Sequence, residues 1–290
     1  MNISSKVHHL HDVWIDHWPE IEERYGKGKD LSIKSLPSLD DKIWGLPKKK
    51  LVVVGGRPSQ HKSNLMLAMA WDFACAGKKV YFFTLEMTKE DCIERLFCMD
   101  NLIDNFLLTT GKIGALQEAE PFKSARDNFT QKVKNSGLVL IELYGKTFAE
   151  INHIIETFGD ADCVMIDYLQ MIKDKQSSKQ AIDEYIKDLR NCAVEKNFCA
   201  VVASQINRAT HEQHKLRYPE LHELKGSGAI EEHCDLCFLL HWEFPYTREE
   251  ASKEKLVLLV AKNRRGRTGK FECKVSPQFC KIEEANESYS

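Results

Sequence analysis

The sequence predicts an α/β fold: a mostly parallel central sheet flanked by helices. Three observations carry that expectation. Seven short apolar runs recur along the chain, at residues 51–54, 80–84, 138–143, 163–166, 199–203, 236–240 and 256–261. They are continuous rather than alternating, as strands buried on both faces are. Helix-like stretches separate them, and strand–helix alternation builds parallel sheets with ligands at the carboxyl ends of the strands. Finally, the first run passes through a short glycine-led loop directly into a helical stretch.

Residues 1–30 read as a separate N-terminal helix and linker, ahead of a main domain at 31–290. Leu10, Val13, Trp14, Trp18, Ile21 and Tyr25 follow a three-to-four spacing within residues 8–25. A Gly-Lys-Gly-Lys stretch at 26–29 then reads as a linker. The helix can pack on its own domain or on a neighbouring copy, and the spacing alone favours neither. Farther on, Ile182, Tyr185, Ile186, Leu189 and Ala193 share one face of a helix.

Bulk properties bound the function. The chain has 290 residues, 43% hydrophobic and 29% charged, with a net charge of −2. A nucleic-acid partner therefore has to be held by local patches rather than by the overall field. The start of the chain is polar, without the apolar core of a signal peptide, and no run approaches the roughly 20 apolar residues of a membrane span. The expected location is the cytoplasm, or that of an infected host. Most of the ten cysteines sit in apolar runs, as small core residues do. Cys234 and Cys237 follow His233, but a zinc site needs a second ligand pair and none is evident. His211 and His214 are three apart, which is not the zinc-protease pattern.

The loop after the first run is Gly56, Arg57, Pro58, Ser59, Gln60, His61, Lys62 and Ser63. Backbone amides of such a loop wrap phosphates, and the following helix adds its positive N-terminal end. Lys62 is placed to meet the β- and γ-phosphates of ATP, and Ser63 to bind Mg2+. Glycine is usual where His61 stands. Histidine tolerates positive φ better than most residues but less well than glycine, so the expected consequence is weaker nucleotide binding.

Other residues complete the constellation. Asp167 ends the fourth run, where an acid meets the nucleotide's magnesium. Glu86 follows the second run, where a carboxylate can orient or deprotonate the attacking water; it can equally cap the helix that begins near Thr88. Gln205 ends the fifth run, where it can sense the γ-phosphate. After the seventh run come Lys262, Arg264, Arg265, Arg267 and Lys270. That segment can bind DNA phosphates, lend an arginine finger to a neighbour's ATP, or form a solvated turn around Gly266 and Gly269.

The order of these pieces resembles the C-terminal motor domain of DnaB-like replicative helicases. The matching stretches are Gly56-Arg-Pro-Ser-Gln-His-Lys-Ser63, Thr84-Leu-Glu-Met87, Ile166-Asp-Tyr-Leu-Gln-Met171, Ser204-Gln-Ile-Asn-Arg208, Gly226-Ser-Gly-Ala-Ile-Glu231 and Lys262-Asn-Arg264. Leu36-Pro-Ser-Leu-Asp40 looks like the lead-in to that domain. The resemblance implies a RecA-like fold and a hexameric ring that binds ATP and Mg2+ between subunits. Lys262 and Arg264 then reach the next subunit's γ-phosphate. It also implies translocation on single-stranded DNA and 5′–3′ unwinding, with primase or a helicase loader as partner.

By that resemblance, DNA is gripped by two central loops, residues 173–180 and 208–227. They supply Lys173, Lys175, Lys179, Arg208, Lys215, Arg217, Lys225, Gly226 and Ser227. The resemblance also favours docking of the N-terminal helix on the adjacent subunit. The family's large N-terminal domain has no counterpart in the short stretch before residue 31, which suits a compact phage-encoded form. Two other classes stay in view: a RecA-like recombination ATPase, and a nucleotide-binding regulator of a helicase without efficient hydrolysis.

Overall fold

A computed structural model describes residues 9–26, 28–172, 179–206, 217–224 and 227–285. By its contacts the chain divides into two units, Met1–Asp30 and Leu31–Ser290. The first unit contains helix α1 (Leu10–Gly26), which carries Pro19 within it. Trp14 and Trp18 pack with ring centroids 5.0 Å apart, and Trp18 Nε1 donates to Glu22 Oε1 at 2.8 Å.

The second unit opens with α2 (Pro37–Ile43), β1 (Lys50–Gly56), α3 (Lys62–Cys75), β2 (Val80–Thr84), α4 (Lys89–Asn101) and α5 (Asn105–Thr109). There follow α6 (Glu120–Asn135), β3 (Leu138–Glu142), α7 (Phe148–Phe158), β4 (Cys163–Asp167), α8 (Lys179–Glu195) and β5 (Cys199–Gln205). The last elements are α9 (Ser227–His233), β6 (Leu236–Trp242), α10 (Phe244–Thr247), β7 (Lys255–Asn263), β8 (Gly269–Ser276) and β9 (Lys281–Glu284). No described helix is long and apolar enough to cross a membrane.

The strands form one sheet in the order β3-β2-β4-β5-β1-β6-β7-β8-β9. The first six in that order are mutually parallel, and β7, β8 and β9 follow, each antiparallel to the strand before it. Each of the seven apolar runs is a strand. For the inner strands the reason is burial on both faces: Val52 and Val54 face one apolar layer with α3 and α4, while Leu51 and Val53 face another with α7 and α8; β3, at the edge of the sheet, is only partly buried. β8 and β9 lie outside the seven runs. Phe271, Cys273 and Val275 alternate with Lys270, Glu272 and Lys274 along β8, the period of a half-buried strand.

Caps fix the helices that leave the functional end of the sheet. Thr88 and Asp91 form a capping box at α4, and Thr147 and Glu150 form one at α7. β1 sits at the centre of the sheet, between β5 and β6, so the loop after it is flanked by the ends of both.

Candidate active site

The loop from Gly56 to Ser63 joins central β1 to α3, whose first residue is Lys62. Lys62 is buried, and its Nζ donates to the carbonyls of Gly56 at 3.1 Å and Arg57 at 2.9 Å. Burial pushes its ammonium down to about 8, against the pull of Asp167 and Glu86. A cation held among loop carbonyls and two acids is suited to meeting phosphate oxygens.

Asp167 ends β4 in register with Thr84 of β2, and the Leu85 amide donates to the Asp167 carbonyl at 2.9 Å. The Asp167–Tyr168 peptide is cis. The Asp167 side chain is buried, and neither carboxylate oxygen has a hydrogen-bond partner among the described residues. Burial raises its pKa, while Ser63 and Lys62 pull the other way. A buried, unsatisfied carboxylate beside a serine hydroxyl fits a divalent cation, which would saturate both oxygens. Ser63 and Asp167 are the residues that would hold it.

Glu86 is exposed at the end of β2, close enough to Lys62 and Asp167 for its charge to act on both. The turn carrying it is tied by Thr84: its Oγ1 donates to the Met87 carbonyl at 2.6 Å and accepts from the Met87 amide at 3.1 Å. A fixed turn with an exposed carboxylate at its tip can hold a water in place.

Gln205 ends β5 next to Gly56 in the register. Gln170, just beyond β4, reaches across to it. Its Oε1 accepts from the Gln205 amide at 3.1 Å, and its Nε2 donates to Ser204 Oγ at 3.0 Å.

Arg57 points away from Lys62 and is buried at 1% exposure. Its Nη1 donates to the Arg217 carbonyl at 3.1 Å and lies 3.4 Å from His241 Nδ1. Arg217 itself reaches Glu220 at 2.6 Å and the buried Glu223 at 2.8 Å. Gln60 is also buried: its Nε2 donates to the Trp242 carbonyl at 2.9 Å, and its Oε1 accepts from the Trp242 amide. Pro58 and Ser59 are exposed. His61 adopts φ 60° and ψ 24°, the left-handed region, directly before α3. That conformation costs a non-glycine residue on the order of 1 kcal/mol. Burial, and then the charge of Arg95, lowers its imidazole to about 4.

Lys262 and Arg264 stand apart from these residues. Asn263 is level with Leu236, and Leu236 is level with Val52. That is four residues before Gly56, roughly 13 Å back along the strands. Lys262 Nζ donates to the Glu231 carbonyl and Arg264 Nη2 to the Glu232 carbonyl, near the C-terminus of α9. Buried Asp235 anchors the same corner: it accepts from the Leu51 amide at 3.2 Å, and Lys50, Arg190 and Arg264 lie within 4.0 Å of it.

Of the expected DNA contacts, Lys173, Lys175, Arg208, Lys215, Lys225 and Gly226 lie outside the described residues. Lys179 opens α8 and Ser227 opens α9, while residues 217–224 contain a helical turn at Leu221–Glu223. Cys234 and Cys237 are buried in the core.

Sequence reasoning missed Asn64, Gln170, Asp235 and Trp242 as parts of this region. Only Gln170 had a signal, because it lies in one of the quoted stretches.

Comparison with known proteins gives a consistent result. The family model described as "DnaB-like helicase C terminal domain" matches residues 33–284. The chain is 25% identical over 278 residues to the replicative DNA helicase DnaC of Bacillus subtilis, covering 92% of this chain and 60% of that protein. It is 23% identical over 304 residues to the replicative DNA helicase DnaB of Geobacillus stearothermophilus, covering 97% of this chain and 64% of that protein. The chain thus spans less than two thirds of the length of these relatives. Among solved structures, one of a DnaB-like replicative helicase and its interactions with primase superposes with a TM-score of 0.82 at 23% identity, covering 97% of this chain and 68% of that one. A second solved structure, of an ATPase domain by itself, also gives a TM-score of 0.82, at 21% identity, covering 97% of this chain and 100% of that one. At such identities the structures speak for the RecA-like fold alone.

Proposed function

This chain belongs to the DnaB-like helicase C terminal domain family, and from that we propose that it is an ATP-driven DNA helicase motor. It hydrolyses ATP, assembles as a hexameric ring, and translocates on single-stranded DNA to unwind duplex 5′–3′. It works in the cytoplasm, its own or a host's, with primase or a helicase loader as partner. α1 docks on the adjacent subunit through the face that carries Trp14 and Trp18.

One observation carries the ring: Lys262 and Arg264 sit at the opposite end of the strands from Lys62, roughly 13 Å or more back along the sheet. A pair there acts on phosphate only if the phosphate belongs to a neighbouring subunit. An arginine supplied in that way stabilises the charge that develops on the transferred phosphoryl group.

In one site, Lys62 binds the β- and γ-phosphates, and the amides from Gly56 to Ser63 wrap them. Ser63 and Asp167 would hold Mg2+, which would supply neutralisation of phosphate charge. Glu86 positions the attacking water and takes its proton. Gln205 reports the state of the γ-phosphate to residues 206–224, where Arg217 contacts the DNA backbone together with Lys173, Lys175, Lys179, Arg208, Lys215, Lys225, Gly226 and Ser227. Backbone and lysine contacts suit a motor indifferent to base sequence.

Two measurements test this reading: electron microscopy with nucleotide and Mg2+, and ATP turnover with and without single-stranded DNA. Closed rings and DNA-stimulated turnover are expected. Filaments would favour a recombination ATPase, and ATP binding without turnover a regulator.

A further inference from the structure

His61 stands where the phosphate loop usually has glycine, and its ring lies between Asn64 and Trp242. Arg95 Nη1 donates to Asn64 Oδ1 at 2.9 Å. That bond fixes the Asn64 amide, so the group facing His61 Nδ1 at 3.2 Å is the Nδ2 donor. Nδ1 therefore accepts, and the ring proton lies on Nε2. Nε2 is buried and has no hydrogen-bond partner among the described residues. The imidazole stands edge-on to the Trp242 indole, with centroids 4.4 Å apart. The preceding residue, Gln60, grips the Trp242 backbone through both its amide atoms. Trp242 is secured in turn by its own Nε1, which donates to the Lys253 carbonyl at 3.0 Å.

Two successive loop residues thus hold one tryptophan at the end of β6. We propose that His61 is a positioning residue of the nucleotide site, its imidazole clamping the phosphate loop between Trp242 and Asn64. Glycine reaches the left-handed conformation through freedom, which the unfolded and open loop also enjoys. Histidine in the same conformation has fewer alternatives, and its ring contacts select the one that α3 requires. The loop is preorganised for phosphate, and binding has less ordering to do. The clamp reverses the simplest expectation from sequence, that histidine weakens the site and glycine would restore it.

The inference rests on the nucleotide-binding reading above, and the test separates the two. ADP affinity with Mg2+ and steady-state ATP turnover are measured on the full chain and on His61→Gly, His61→Asn, Trp242→Leu and the His61→Gly/Trp242→Leu pair. His61→Gly is expected to weaken ADP binding about tenfold, the size of one edge-to-face ring contact. The loss should appear as a rise in the KM for ATP larger than any fall in kcat. His61→Asn tolerates the left-handed conformation and restores an acceptor for Asn64, so it should recover part of the loss. Trp242→Leu keeps the backbone bonds to Gln60 and should weaken binding as His61→Gly does. The double variant should be little worse than either single one.

Unchanged or tighter binding by His61→Gly, or strictly additive losses, would overturn the clamp. Should His61→Gly fail to fold, His61→Asn and Trp242→Leu decide, since undiminished affinity in Trp242→Leu contradicts the proposal. If the unaltered chain binds no ADP or ATP, the nucleotide reading itself fails and takes the clamp with it.

Discussion

The side-chain oxygen of Gln170 accepts the backbone N–H of Gln205 at 3.1 Å. The same side chain donates to Ser204, so one residue beyond β4 holds the last two residues of β5. Gln205 is the candidate γ-phosphate sensor, and the strand end beside the phosphate loop is thereby tied to the strand that ends in Asp167. Gln170→Ala removes both bonds, each worth about 1 kcal/mol net. Stimulation of ATP turnover by single-stranded DNA should fall at least about fivefold, the lower range of a site-to-site coupling. Gln170→Glu keeps the acceptor and should retain more of it. Steady-state turnover over a DNA titration checks both, alongside thermal melts.

Glu86→Gln keeps the size of the side chain and its place on the turn tied by Thr84, but removes the base. Turnover should fall by about 10²-fold or more. ATP affinity should stay close to that of the unaltered chain, because Lys62 and Ser63 remain. Equilibrium binding of a fluorescent ATP analogue and single-turnover kinetics separate the two effects. Unchanged turnover would remove Glu86 from the chemistry.

Lys62 gives a pH dependence. Its ammonium lies at about 8 in the free chain, lowered chiefly by burial. Phosphate binding needs the charged form, which is complete below that value and lost as the pH rises through it. ADP affinity, measured without magnesium, should be level between about pH 7 and 7.5, where the terminal phosphate is already ionised, and fall above about 8, at most about tenfold per unit. Lys62→Arg keeps its charge over the range and should flatten the profile.

The position of Arg264 gives a mixing experiment. Arg264→Ala and Glu86→Gln should each be nearly inactive alone, since a finger in trans contributes about 10³-fold or more. A mixed assembly contains interfaces where an intact Glu86 meets an intact Arg264 from the neighbour. Turnover should therefore reappear on mixing. No recovery, with mixed assembly verified by cross-linking, would place Arg264 outside the neighbour's site.

Much of this architecture was legible because burial on both faces leaves a plain mark. Val52 to Val54 or Cys163 to Ile166 can hardly be anything but interior strands beside helices. The acids were legible for a related reason: strand ends are fixed by where the apolar runs stop, and Asp167 and Glu86 follow directly. β8 escaped because its signal is alternation, and a search for continuous runs passes over Phe271, Cys273 and Val275. Long-range contacts left no mark at all. Gln60 and Trp242 are 182 positions apart, and nothing in either neighbourhood announces the other. The same holds for Arg57 and Arg217, 160 positions apart.

The central claim is that this chain converts ATP hydrolysis into strand separation. The most direct measurement is unwinding of a labelled forked duplex with ATP and Mg2+, run beside partial duplexes carrying only a 5′ or only a 3′ tail. ATP-dependent strand release is expected on the fork, with loss of that release in Glu86→Gln and a requirement for the 5′ tail. Robust DNA-stimulated ATP hydrolysis with no strand release on any of these substrates would contradict it.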